Sequence, residues 1–359
     1  MVNVNRAPGG LCHRAPTLAR VELVKPLIDP HGRRVTDLRV SITDRCNFRC
    51  TYCMPAEGMT WLDRGELLTY EEQARVVRVC VERFGFESVR ITGGEPTVRA
   101  HLPRLVAMLA PLGIDIAMTT NGVKLTEMAH DLAEAGLRRI NVSLDSLRND
   151  VFMELTRRDD LANVLEGIDA ALDAGLAPVK LNCVVMRDVN DGEVVDLARF
   201  GREHGVGVRF IEFMPLDADG DWDREQVVAA QEILQRIHSV FPLEAEPVAG
   251  RATEHVEPAQ RFRYADGAGD VGVIASVTEP FCGHCDRIRM TAEGKLRTCL
   301  FALEEFDLRA ILRGDAPDDE VDDLLAEEIV RAVSTKWAGH RIGHVDFVRP
   351  GRSMSQIGG

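Results

Sequence analysis

From residue 36 to residue 214 the chain repeats one hydrophobic rhythm. Short apolar runs at 38–42, 88–92, 115–119, 139–143, 179–186 and 208–214 read as strands. Between them, 70–84, 102–109, 126–135, 161–174 and 191–204 carry apolar residues at helical spacing. Thr69 and Asp160 are placed to cap helix starts, and Gly85, Gly136, Gly175 and Gly205 to stop helices. Strands alternating with helices imply right-handed βαβ units and a parallel sheet. The predicted fold class is α/β, an incomplete (βα)6 barrel. The rhythm breaks near 241. Strand-like pieces follow at 260–264 and 271–275, then a turn at 292–295, a strand at 296–300, an acidic helix over 318–337 and a polar tail over 351–359. Residues 1–35, rich in Pro, Gly and Arg, read as a mobile arm. The expected organisation is therefore an arm (1–35), a partial barrel (36–240) and a C-terminal region (241–359).

Chemistry-bearing residues cluster at the ends of the predicted strands. Cys46, Cys50 and Cys53, spaced C-x3-C-x2-C, follow the first strand. Three thiolates can hold three irons of a cubic iron–sulfur cluster and leave the fourth open. The spacing also permits a zinc knuckle or three buried thiols. Gly93-Gly94-Glu95-Pro96 follows the second strand; alone it is turn material, but its glycines also permit close backbone approach to a ligand. Arg90 and Arg99 flank it. Thr119-Thr120-Asn121-Gly122, Ser143-Leu144-Asp145 and Glu212-Phe213-Met214-Pro215 end later strands. That is the face where β/α barrels carry their chemistry. Lys180, near the start of its strand, is the exception. A second set, Cys282, Cys285 and Cys299, is spaced C-x2-C-x13-C. Structural zinc, with His284 or His255 as a fourth ligand, and a second cluster both remain open on spacing. Arg287 and Arg289 follow at alternate positions, so an extended segment presents both on one face, suited to phosphate or a base edge.

Composition narrows the setting. The chain has 359 residues, enough for more than one domain, and nine cysteines, six of them in the two sets. An odd count and tight spacing favour ligation over disulfides. Cys80 and Cys183 lie in apolar runs and read as core; Cys12 lies in the arm. A net charge of −14 argues against a nucleic-acid surface, though not against local basic residues holding an anion. No apolar stretch is long enough to span a membrane, and no signal-peptide core is seen, so a cytoplasmic setting is expected.

The first cysteine set together with Gly93-Gly94-Glu95-Pro96 resembles the radical S-adenosylmethionine superfamily. The second set, Arg287-Ile288-Arg289 and the terminal Gly358-Gly359 resemble the branch that rearranges GTP at the start of molybdenum cofactor synthesis. The resemblance runs from about residue 36 to the C-terminus. It implies two [4Fe-4S] clusters and S-adenosylmethionine as cofactors. One electron would cleave the sulfonium, the 5′-deoxyadenosyl radical would take the 3′ hydrogen of GTP, and the sugar radical would attack C8 of guanine. It further implies that Cys46, Cys50 and Cys53 ligate the first cluster and that Tyr52, Gly94, Ser143 and Met214 contact S-adenosylmethionine. Cys282, Cys285 and Cys299 would ligate the second cluster. Arg39, Arg90, Thr119, Lys180, Arg287 and Arg289 would form the GTP pocket, with Arg209 as a further triphosphate contact. Implied partners are GTP, a reductant, a downstream cyclic pyranopterin monophosphate synthase and a second copy of the chain as a homodimer. Ser88 departs from the pattern, since some members place a lysine there, and the N-terminal arm is not part of it. The rival readings are a peptide-modifying radical S-adenosylmethionine enzyme with an accessory cluster, and a non-catalytic zinc module.

Overall fold

The computed structural model describes residues 24–217, 219–246 and 257–358; Cys12, His255 and Gly359 lie outside them. The repeating part runs β1 (Asp37–Ser41), α1 (Tyr70–Phe84), β2 (Ser88–Thr92), α2 (Leu102–Leu109), β3 (Asp115–Thr120), α3 (Leu125–Ala135), β4 (Arg139–Ser143), α4 (Asn149–Thr156), α5 (Leu161–Asp173), β5 (Val179–Val185), α6 (Val194–His204) and β6 (Gly207–Glu212). Thr69 makes a full capping box with Glu72, fixing the start of α1. Asp160 makes no side-chain cap, contrary to the expectation above, and its carboxylate instead accepts from Asn163. Helix α4 was not predicted.

Helix α7 (Ala230–His238), which was not predicted, follows β6, and the C-terminal region supplies β7 (Leu243–Ala245), β8 (Gln260–Tyr264), β9 (Asp270–Ile274), β10 (Arg287–Met290), β11 (Lys295–Arg297), β12 (Phe306–Asp307), α8 (Leu308–Leu312), α9 (Asp318–Val333) and α10 (Met354–Ile357). Its strands join the barrel sheet at both edges. The order is β12-β11-β10-β1-β2-β3-β4-β5-β6-β9-β8-β7, with β10 parallel to β1 and β9 parallel to β6. The sheet is therefore an unclosed barrel with six βα strands flanked by one further parallel strand on each side. Each flank ends in antiparallel strands.

Each barrel strand has two unlike faces. On β1, Leu38 and Val40 pack outward into the core beneath the helices, while Asp37 and Arg39 line the interior cavity. On β2, Val89 and Ile91 go outward and Arg90 and Thr92 inward; on β4, Ile140 and Val142 oppose Arg139, Asn141 and Ser143. Burial of the outward residues, roughly 1.5–3 kcal/mol per large side chain, holds the register. A one-residue slip would place guanidiniums beneath the helices. The polar interior is thus a by-product of an apolar exterior.

Two terminal stretches differ from expectation. Residues 24–35, read above as the end of an arm, are packed: Leu27 and Val35 are core residues, and Ile28 bridges Arg34. The polar tail ends in a capped helical turn, α10, with Ile357 fully buried.

Candidate active site

The cysteine loop and the glycine loop are built against each other. Gly94 N donates to Thr43 O at 2.7 Å, and Glu95 N to Arg45 O at 2.8 Å. A Cβ on Gly94 would lie 2.5 Å from two backbone oxygens, those of Asp44 and Arg45. The glycines therefore serve first to let the two loops touch, not only to admit a ligand. Buried Glu95 fastens the next strand to the pair. Its carboxylate accepts from Thr97 N (3.0 Å), Thr120 Oγ1 (2.7 Å) and Asn121 N (2.6 Å). Arg99 is structural: it donates to Leu68 O and stacks on Tyr70.

One cavity runs through the barrel, with ≈ 2190 Å³ of empty space counted out to its solvent-filled mouth. Every residue assigned above to a cluster, to S-adenosylmethionine or to GTP lines it, Arg209 included. The sheet explains their arrangement. Cys46, Cys50 and Cys53 follow β1, at its C-terminal end. Cys282 and Cys285 precede β10, which is parallel to β1 with Arg287 opposite Asp37. Cys299 follows β11, antiparallel to β10. The second set thus sits at the N-terminal end of the strands. The two sets face one another along the five residues of β1, roughly 15 Å at ~3.3 Å per residue. The first set, the glycine loop and the later strand ends lie at the C-terminal face, as expected; the second set, whose face the sequence left open, lies at the opposite end. Lys180 needs no bend, because alternation along β5 already places it inward beside Asn182 and Val184.

Between the two sets lies a belt of positive charge. Arg39 pairs in register with Arg90 on one side and Arg289 on the other. Burial, then the neighbouring Arg289, Arg287 and Arg90, hold the Arg39 guanidinium well below its usual affinity for a proton. Arg39 Nε and Arg90 Nε and Nη1 are buried without hydrogen-bond partners among the described residues. Buried, unpartnered guanidinium nitrogens cost several kcal/mol unless an anion completes them. Lys180 and Arg209 are already paired, with Glu257 and Asp270, each at 2.6 Å. Arg289 Nη1 donates to Gly358 O at 3.0 Å, so the chain's end reaches this belt.

The thiols differ in readiness. Burial pushes Cys46 up to about 12 and Cys53 up to about 11. At Cys285 burial acts in the same sense but Arg287 and Lys336 outweigh it, and the thiol falls to about 7. Among the described residues, no three His, Cys, Asp or Glu side chains are grouped as the ligands of one metal ion would be. Eight described cysteines are free thiols. Three thiols around a wide cavity at each end, with no fourth cysteine in either set, suit the donor set of a cubane with an open iron.

Sequence reading placed Asp145 at a strand end but gave it no role. It accepts from Tyr52 Oη at 2.6 Å and Val184 N at 2.8 Å, tying the cysteine loop to β5. It also missed Arg139, Asn141 and Asn182 in the cavity wall and Glu257 at Lys180. Period-two alternation on β4 and β5 was the available signal for the first three.

An open α/β barrel with this cysteine loop and glycine loop defines a radical S-adenosylmethionine enzyme. The family model "Radical SAM superfamily" matches residues 40–201, and "Molybdenum Cofactor Synthesis C" matches residues 206–342. The chain belongs to the GTP 3′,8-cyclase family. It is 51% identical over 335 residues to the GTP 3′,8-cyclase of Streptomyces coelicolor, covering 93% of this chain and 96% of that one. It is 48% identical over 348 residues to that of Paenarthrobacter nicotinovorans, covering 93% and 97%. The solved structure of Streptococcus suis SuiB bound to S-adenosylmethionine shares the fold, with a TM-score of 0.57 at 14% identity, covering 84% of this chain and 69% of that one.

Proposed function

We propose that this chain converts GTP to (8S)-3′,8-cyclo-7,8-dihydroguanosine 5′-triphosphate, the first step of molybdenum cofactor synthesis. The observation that carries the reading is the buried arginine belt between the two cysteine triads, where Arg39, Arg90, Arg287 and Arg289 share the Asp37 carboxylate, and Arg39 and Arg90 keep nitrogens without hydrogen-bond partners among the described residues. A polyanionic nucleotide completes those guanidiniums with charge-assisted hydrogen bonds.

Cys46, Cys50 and Cys53 would hold the first [4Fe-4S] cluster, and Cys282, Cys285 and Cys299 the second. When bound, these clusters and S-adenosylmethionine supply one-electron hydrogen-atom abstraction and an open iron for the guanine. The protein supplies position. Tyr52, Gly94, Ser143 and Met214 line the S-adenosylmethionine end. Arg39, Arg90 and Lys180 hold phosphate oxygens, with Thr119 beside them. Arg287 and Arg289 orient the nucleotide toward the second triad. Glu257 and Asp270 must yield or share their cations when phosphate enters. The barrel wall excludes water from the reacting carbon.

The peptide-modifying alternative draws no support from the likeness to SuiB, which at 14% identity speaks for the fold alone. A reductant and a downstream cyclic pyranopterin monophosphate synthase are the partners this role requires, and the cytoplasm is its setting. No helix among the described residues is long and apolar enough to cross a membrane. Anaerobic incubation of the reconstituted chain with GTP, S-adenosylmethionine and reductant tests the reading. The cyclised nucleotide is expected from the wild type and not from Cys50→Ala. Unchanged GTP, with S-adenosylmethionine cleaved, would overturn it.

A further inference from the structure

Beyond α9 the chain turns inward and buries a lysine directly behind the second cysteine triad. Lys336 is 3% exposed. Its ammonium has three N–H donors. Nζ lies 2.6 Å from Arg287 O, 2.7 Å from Thr298 O and 3.9 Å from Cys285 Sγ. Arg287 lies two residues after Cys285, and Thr298 immediately precedes Cys299. The β10–β11 pairing covers only Arg289 with Arg297 and Met290 with Leu296. Towards the cysteines the two strands no longer pair, and the ammonium bridges their carbonyls there.

The third cysteine is tied to the same segment by another cation. Arg33 Nη1 donates to Cys282 O at 2.6 Å and to Ala338 O at 2.8 Å, and Nη2 donates to Trp337 O at 2.5 Å. Asp29 holds the guanidinium in place from below, through Nε at 2.5 Å. Residues 336–338 are therefore the shared anchor of all three cysteine-bearing arms. Burial, with Arg33 and Arg287 nearby, lowers the proton affinity of Lys336, and the sulfurs of Cys285 and Cys299 act in the opposite sense. A buried cation with sulfur as its counter-charge is stable where that sulfur is held as thiolate.

We propose that Lys336 is a positioning residue for the second triad: it clamps the arms carrying Cys285 and Cys299 and fixes a positive charge behind the cluster they hold. The proposal rests on reading that triad as a cluster site. A cation and an N–H donor at a ligand sulfur withdraw electron density from the cluster and raise its reduction potential. Arg33 supports the clamp through Cys282 and carries residues 24–35 into the site.

The test compares Lys336→Gln and Lys336→Met in the anaerobically reconstituted full chain. Iron and sulfide are counted, and an EPR-monitored redox titration follows the second cluster, identified as the signal that survives Cys50→Ala. Gln retains N–H donors but not the charge. It is expected to keep both clusters while the ratio of reduced to oxidised second cluster at the wild-type midpoint falls about tenfold, ~59 mV for one electron. Met is expected to lose the iron of the second cluster and keep the first. Loss of the second cluster from both variants, with the first intact, also supports the clamp. Wild-type iron content and midpoint in both variants would overturn it, as would an equal shift at both clusters. A wild-type chain that binds only one cluster would instead overturn the cluster reading of the triad, and the proposal with it.

Discussion

Arg289 donates from Nη1 to the carbonyl oxygen of Gly358 at 3.0 Å, joining the last turn of the chain to the middle of the arginine belt. Gly358 stands at φ +78°, and a Cβ there would lie 2.8 Å from Thr92 Oγ1 and 3.0 Å from Ser41 Cβ. Only glycine fits both the angle and the space.

Gly358→Ala should therefore displace the tail and release Arg289. A hydrogen bond from a charged donor contributes about 1.5–3 kcal/mol. Turnover is expected to fall about tenfold or more, with iron content unchanged. Wild-type turnover in steady-state assays would show that the bond is incidental to catalysis.

Arg39 is held against its neighbours at an electrostatic cost. Arg39→Met removes one buried, crowded guanidinium. Its thermal midpoint without nucleotide should rise, while GTP binding weakens by at least about tenfold, since charged hydrogen bonds are lost. Calorimetry on the free chain and equilibrium binding of GTP check the two halves separately. A lower midpoint together with unchanged affinity would contradict both.

The thiols predict an order of reactivity in the cluster-free chain. Cys285, brought to about 7 against its burial by Arg287 and Lys336, is about half ionised at neutral pH. Cys46 and Cys53, pushed up by burial, are not. Iodoacetamide should label Cys285 ahead of both, with a rate that rises through about pH 7. Peptide mapping by mass spectrometry reads this directly, and earlier labelling of Cys46 would contradict it.

Asp145 gives a stability profile of definite sign. Burial raises its carboxyl from 3.8 to about 6, only partly offset by Tyr52 and Val184 N–H. The raised value favours the protonated form in the fold. Its penalty is absent below about pH 4 and complete above about pH 6. Two units amount to about 3 kcal/mol. Asp145→Asn in the cluster-free chain should remove most of that loss, so its advantage over wild type grows as pH rises from 4 to 6. Denaturant titrations at several pH values test it; parallel profiles would show that Asp145 does not titrate there.

Much of this was legible in the chain. The six strands and the five predicted helices between them fell where apolar runs and helical periods placed them, because each strand has an apolar outer face to register. The cavity-lining residues that follow the barrel strands stood out through their loop motifs. What was not legible is what depends on distant chain. Arg287 sits opposite Asp37 only because β10 joins β1 across some 250 intervening residues. That pairing puts the second triad at the far end of the barrel, a relation no local pattern carries. Arg33 and Lys336 carried no motif: each is defined by the carbonyls it reaches. The role of Asp145 was not legible because its two partners, Tyr52 in the cysteine loop and Val184 on β5, lie far from it along the chain.

The central claim is that the arginine belt holds GTP with its C3′ hydrogen facing the first triad. GTP carrying deuterium at C3′ tests it directly. In anaerobic turnover with S-adenosylmethionine and reductant, mass spectrometry should find one deuterium transferred into 5′-deoxyadenosine and a cyclised nucleotide that has lost it. Unlabelled 5′-deoxyadenosine, with the deuterium still on intact GTP, would contradict the account.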